Sequence, residues 1–79
     1  MDTNRLDDLR TQVLAARALP LPAERRAIRV AAGVGTQELA KAVGVSRQCI
    51  YQWERGDREP KTRRLRVYIE ALRIMRDGS

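Results

Sequence analysis

Apolar residues recur at intervals of three and four along almost the whole chain, and glycine, proline and serine punctuate the runs. From Thr3 to Ala18, Leu6, Leu9, Val13, Leu14 and Ala16 mark one side of an amphipathic helix, with Asp2 or Thr3 as its N-cap. The Leu-Pro-Leu-Pro stretch at 19–22 ends it, because proline does not fit a helix interior and disfavours helix just before it. Pro22 suits the first turn of a second helix with Ile28 and Val30 among its apolar positions and Gly33 at its end. Thr36 to Val43 reads as a third helix that turns Leu39, Ala40 and Val43 inward and stops at Gly44. Ser46 caps a fourth, Arg47 to Arg55, which stops at Gly56. A turn closed by Pro60 leads to a last helix, roughly Thr62 to Met75, with only the final two or three residues of the chain expected to be disordered. No alternating run or hairpin signal predicts a strand, and there is no internal repeat.

The last helix carries more apolar surface than one core needs: Val67, Ala71 and Ile74 lie on a different stripe from Leu65, Ile69 and Leu72. Two arrangements cover the surplus. Leu6, Leu9 and Val13 of the first helix dock on it within one chain, which is the favoured expectation, or the stripe forms a two-fold dimer.

Composition excludes several classes. The 79 residues include one cysteine and no histidine, so neither an internal disulfide nor a four-ligand zinc site is expected. A chain this short buries only about 60% of its unfolded surface, so the core is thin. No apolar run approaches the ~20 residues of a membrane span. The Met-Asp-Thr-Asn-Arg start does not read as a secretory signal, and a reducing, cytoplasmic setting is expected. The net charge of +6 is uneven. Residues 1–24 set three arginines against four carboxylates, a net −1, and the remainder sets 13 basic residues against 6 acidic ones, a net +7. A basic body favours a polyanionic partner, nucleic acid first, although an arginine-rich surface also fits a GC-rich genome.

The stretch from Val43 to Gly56 changes that picture most. Gly44 takes the left-handed backbone that stops one helix, Val45 fills the angle, and Ser46 starts the next. Ile50 and Trp53, three apart, share a face that packs on Leu39 and Val43. Arg47, Gln48 and Gln52 fall on the other side. One face fixes the helix in the core while the other presents polar side chains, as a helix lying in a DNA major groove requires. Arginine pairs with two acceptors of guanine, and glutamine with the adenine edge. The helix N-terminus adds free N–H groups for phosphate.

These residues carry a resemblance. The run GVGTQELAKAVGVSRQCIYQWERGDREP, residues 33–60, is similar to the Cro/cI (Xre) family of phage and bacterial helix-turn-helix proteins. Its marks are Gly33, Glu38-Leu39-Ala40, Gly44-Val45-Ser46, Ile50, Trp53-Glu54-Arg55-Gly56 and Pro60, and the likeness extends from about Ala23 to Leu72. It implies an all-α, lambda-repressor-like fold with the helix-turn-helix domain at 23–76; the N-terminal helix and proline linker at 1–22 are a departure from the family pattern, and with them the chain reads as five helices. It implies double-stranded DNA as partner, bound as members of the family commonly do, as a dimer on a two-fold operator; with the N-terminal helix docked in cis, the homodimer is expected to be weak or DNA-assisted. Arg47, Gln48, Cys49 and Gln52 take the base-reading positions. Thr36, Gln37, Ser46, Tyr51, Arg55, Arg58, Lys61, Arg63 and Arg64 take the phosphate side. Arg29 pairs with Glu54, and Trp53, Ile50, Leu39 and Val45 are structural. Where the family commonly begins a helix with Thr-Gln, this chain has Gly35 and Thr36, which implies a weaker cap.

Plainer readings stand beside these. Cys49 makes a van der Waals contact or none; Tyr51 touches phosphate or packs at an edge; an exposed Trp53 would suit stacking on single strands. No catalytic grouping, cofactor loop or metal set is recognised, so enzyme activity is not expected. Two rival functions remain: an antitoxin or other protein-interaction module on the same fold, and an architectural DNA-bending factor for integration or excision.

Overall fold

A computed structural model describes residues 3–78. The described residues form five helices: α1 Thr3–Ala18, α2 Pro22–Ala31, α3 Thr36–Val43, α4 Arg47–Arg55 and α5 Thr62–Asp77. No strand occurs among them. The all-α, five-helix expectation holds.

The boundaries follow from local chemistry. Pro22 begins α2, where its missing N–H costs no helical bond. Gly35 precedes α3 without a side chain to offer, yet its N–H donates to Glu38 Oε1 at 3.2 Å, so the capping glutamate compensates for the absent hydroxyl. Thr3, one of the two predicted caps, is the first residue of α1, and Asp2, the other, lies outside the described residues. The last helix runs to Asp77, beyond the expected end at Met75, and Gly78 caps it in the left-handed conformation.

Helices α2 to α5 enclose the core. Leu39, Ala40, Val43, Ile50, Trp53, Tyr68 and Leu72 form one buried cluster, with Ile28, Val34, Val45, Cys49, Val67, Ala71 and Met75 packed partly against it. The Trp53 and Tyr68 rings meet with centroids 4.7 Å apart at 44°, a tilted contact that suits two aromatic quadrupoles. Tyr68 is fully buried, and its hydroxyl has no hydrogen-bond partner among the described residues. Burial drives its pKa well above the usual tyrosine value, because the phenolate would have to form away from water; the Glu54 carboxylate pushes the same way.

The apolar positions of α2 and α1 are only partly buried. Val30 is exposed, because α2 turns Arg25, Ile28 and Arg29 inward instead. Helix α1 packs on α5 within the chain, as expected, but Leu6, Leu9 and Val13 stay largely exposed. They are 52%, 57% and 44% exposed. Among the described side chains within α1, Gln12 is the half-buried one.

Candidate nucleic-acid interface

Helices α3 and α4 meet at a three-residue corner. Gly44 sits at φ +86°, and its N–H and that of Val45 both donate to the Ala40 carbonyl, at 2.8 and 2.9 Å. This closes α3 in a conformation that a side chain would strain. Val45 turns half-buried into the angle. Ser46 Oγ accepts the Cys49 N–H at 3.1 Å and caps α4. Ile50 and Trp53, both buried, fix α4 from below.

Two arginines of α2 lock the far end of α4. Arg29 donates from Nε to Glu54 Oε2 at 2.6 Å and from Nη2 to Oε1 at 3.0 Å, a two-pronged pair in which the carboxylate is buried. Arg29 Nη1 also donates to the Val34 carbonyl at 3.0 Å. The bond to Glu54 raises the Arg29 pKa above its usual value, against the opposing effect of burial. Arg25 was not anticipated from the sequence. It is 4% exposed and donates to the Pro20 carbonyl at 2.7 Å, to the Trp53 carbonyl at 2.9 Å, and to both Glu59 oxygens at 3.2 and 2.8 Å. One side chain thus ties the proline linker, the end of α4 and the turn after it. Its signal in the sequence was only its place four residues before Arg29 on the same helix face. Gly56 completes the joint at φ +78°; a Cβ there would also come 3.1 Å from the Pro22 ring.

The outward side of α4 is polar. Arg47 and Gln48 are exposed, Gln52 is half-exposed, and Cys49 is half-buried against the core. Beside α4 runs a groove of about 440 Å³ between that helix and the 56–62 turn, lined by Cys49, Gln52, Arg58, Lys61, Thr62 and Arg64. Two of the expected base-reading positions and three of the expected phosphate positions therefore face one concavity. Helix α5 opens there with no acidic residue in its first turn and no side-chain cap. Thr62 holds φ +53°, a strained value for a β-branched residue. On the other flank, Thr36 Oγ1 lies 3.5 Å from Tyr51 Oη, joining the start of α3 to the middle of α4, with exposed Gln37 beside them. Arg63 is exposed on the first turn of α5 but does not line the groove. Arg55 is drawn to Asp57 at 3.1 Å.

Among the described residues no cluster of histidine, cysteine or carboxylate side chains is arranged to hold a metal ion, and no helix is long and apolar enough to cross a membrane.

A corner of this geometry with a polar recognition face defines a helix-turn-helix. A helix-turn-helix family model of the Cro/C1 type matches residues 26–74, and the chain belongs to this family of DNA-binding regulators. No curated protein and no solved structure shows a significant match.

Proposed function

We propose that this chain is a sequence-specific double-stranded DNA-binding transcriptional regulator, a small Cro/cI-type repressor working in the cytoplasm of a bacterium or of a phage-infected cell. One observation carries the reading. Helix α4 is held rigidly by Ile50, Trp53 and the Arg29–Glu54 pair, and its free face continues into a basic groove. In this reading Arg47, Gln48 and Gln52 meet base edges in the major groove, with Cys49 in apolar contact. Thr36, Gln37, Ser46 and Tyr51 hold phosphate on one flank; Arg58, Lys61, Arg63 and Arg64 hold it on the other. Arg55 contributes less, because Asp57 shares its charge.

The operator is two-fold, with half-sites about 34 Å apart, and two chains assemble on it with the help of DNA. Phosphates neutralise the basic bodies that repel each other in free solution.

The test is a binding series on the preferred site and on scrambled DNA at several salt concentrations. Arg47→Ala costs about 1–3 kcal/mol on the preferred site and relaxes the preference at one base pair. Arg58→Ala weakens every sequence alike and lowers the salt slope by about one unit. An equal loss on both DNAs for Arg47→Ala would favour the architectural alternative. Wild-type binding no stronger than charge alone provides would favour the protein-interaction alternative.

A further inference from the structure

Among the residues that line the basic groove beside α4, Glu59 carries the one carboxylate. Its neighbours there are Arg58, Lys61 and Arg64, and its own side chain is 49% exposed. A carboxylate in that place opposes the phosphates that the groove is proposed to hold. Charge alone therefore gives the chain no use for an acid at this position, whereas geometry does.

Both Glu59 oxygens accept from Arg25, at 3.2 Å from Nη1 and 2.8 Å from Nη2. The guanidinium is itself fixed by backbone: Nε donates to the Pro20 carbonyl at 2.7 Å and Nη1 to the Trp53 carbonyl at 2.9 Å. Trp53 belongs to α4, one wall of the groove, and Glu59 to the 56–62 turn, the other wall. A planar fork with fixed donor directions thus sets how far apart the two walls stand. The backbone holds the turn only at its start, where the Asp57 and Arg58 N–H groups donate to the Gln52 carbonyl at 2.9 and 3.4 Å. Among the described residues no backbone–backbone hydrogen bond reaches Glu59 or Pro60. From there to α5 the turn is gripped by buried Pro60 and by the Glu59 carboxylate. Thr62 follows at φ +53°, a conformation that persists where neighbouring contacts hold it.

We infer that Arg25 and Glu59 are a positioning pair for DNA: buried Arg25 holds the turn through Glu59, so that Arg58, Lys61 and Arg64 meet the phosphates beside the groove that α4 reads. The inference rests on the proposal that this face of the chain grips DNA. Neither member of the pair is assigned a phosphate. Glu59 acts by geometry and against its own charge, which separates this pair from a generally basic surface.

Glu59→Gln tests it, because charge and geometry pull in opposite directions. Removing a carboxylate beside phosphate tightens binding if charge is all that counts. Releasing the turn loosens it. Affinity for the preferred site and for scrambled duplex is expected to fall about fivefold to tenfold at about 0.1 M salt, as for one lost phosphate contact, and the salt slope to fall by about one unit. The preference between the two duplexes stays within about twofold of wild type, since α4 keeps its own supports. Arg58→Ala, which costs about one slope unit in the wild type, costs less than about half a unit in the Glu59→Gln background. As a control, Glu70→Gln removes the same charge from an exposed ion pair on α5 outside the groove and leaves the slope unchanged. Trp53 is the single tryptophan, so its fluorescence reports the folded fraction and affinities are compared per folded molecule. Equal or tighter binding by folded Glu59→Gln, with an unchanged slope, would overturn the inference and leave the proposed function standing. A lowered melting temperature with wild-type binding would do the same, and so would full additivity with Arg58→Ala. A wild-type chain that binds neither duplex more strongly than charge alone provides would overturn the inference together with the proposed function.

Discussion

Residues 3–18 and residues 22–77 follow the same helical spacing and reach different ends. In the second region each helix gives its apolar face to at least one other helix, and α2 adds two arginines that bond to the end of α4. In the first, a helix of equal regularity leans on one neighbour and leaves Leu6, Leu9 and Val13 in water. Periodicity predicts that a segment will be helical; it does not say which surface will receive the apolar face. The difference separates what holds this fold together from what the fold holds out.

The sharpest way to break the comparison is to truncate the centre of the second region. Trp53→Ala removes a 3% exposed ring that packs on Tyr68, and is expected to cost about 3–5 kcal/mol. That approaches the whole stability of a small domain. Urea denaturation followed by circular dichroism checks it; near-wild-type stability would mean the core does not depend on this ring.

Arg29→Ala leaves the Glu54 carboxylate buried without its partner and is expected to cost about 3 kcal/mol. Pairing Arg29→Met with Glu54→Leu should recover most of the loss, because an apolar pair has no charge to desolvate. If the double variant is as unstable as the single one, the pair fixes the helix angle through its bond geometry.

Tyr68 offers a smaller, pH-dependent handle. Its folded-state pKa is raised by burial. The native state therefore keeps the phenol protonated where the unfolded chain, with a tyrosine pKa of about 10, begins to ionise. The contribution is fully present below pH ~10 and is lost as pH rises from there towards the folded value, at up to about 1.4 kcal/mol per pH unit. Tyr68→Phe should flatten that alkaline fall. At neutral pH it should be neutral or slightly stabilising, since it removes a hydroxyl without a protein partner. Denaturation of both proteins from pH 8 to 11 makes the measurement, and parallel curves would place the tyrosine in contact with solvent.

Most of the helix boundaries were legible because their causes are local. Pro22, Gly44, Ser46 and Gly56 each act within a turn of where they stand. The polar side of α4 was legible because Ile50 and Trp53 dictate which way the rest must face. What was not legible depends on distance along the chain. Arg25 reaches partners 28 and 34 residues away, and nothing near it in sequence announces them. The packing of α1 on α5 was anticipated, but not how little of Leu6, Leu9 and Val13 it covers, because that depends on where a helix far along the chain comes to lie. The left-handed Thr62 and the Arg55–Asp57 contact likewise arise from how the 56–62 turn closes, which composition does not specify.

The smallest effect belongs to α1, and its smallness is informative. Leu9 is 57% exposed, so Leu9→Ala forfeits little burial and exchanges one good helix former for another. Its cost in thermal or urea denaturation is expected to stay within about 0.5 kcal/mol, against the several expected for Trp53→Ala. The two numbers measure the same kind of change, an apolar side chain cut to a methyl, in two regions that differ in what surrounds it. A loss above about 1 kcal/mol would mean that Leu9 is covered in solution, by α5 or by a second chain. Repeating the melt across a hundredfold range of protein concentration separates those cases, because only a second chain makes the midpoint rise with concentration. A small, concentration-independent effect leaves Leu9 without a structural duty in the fold, in contrast to Trp53.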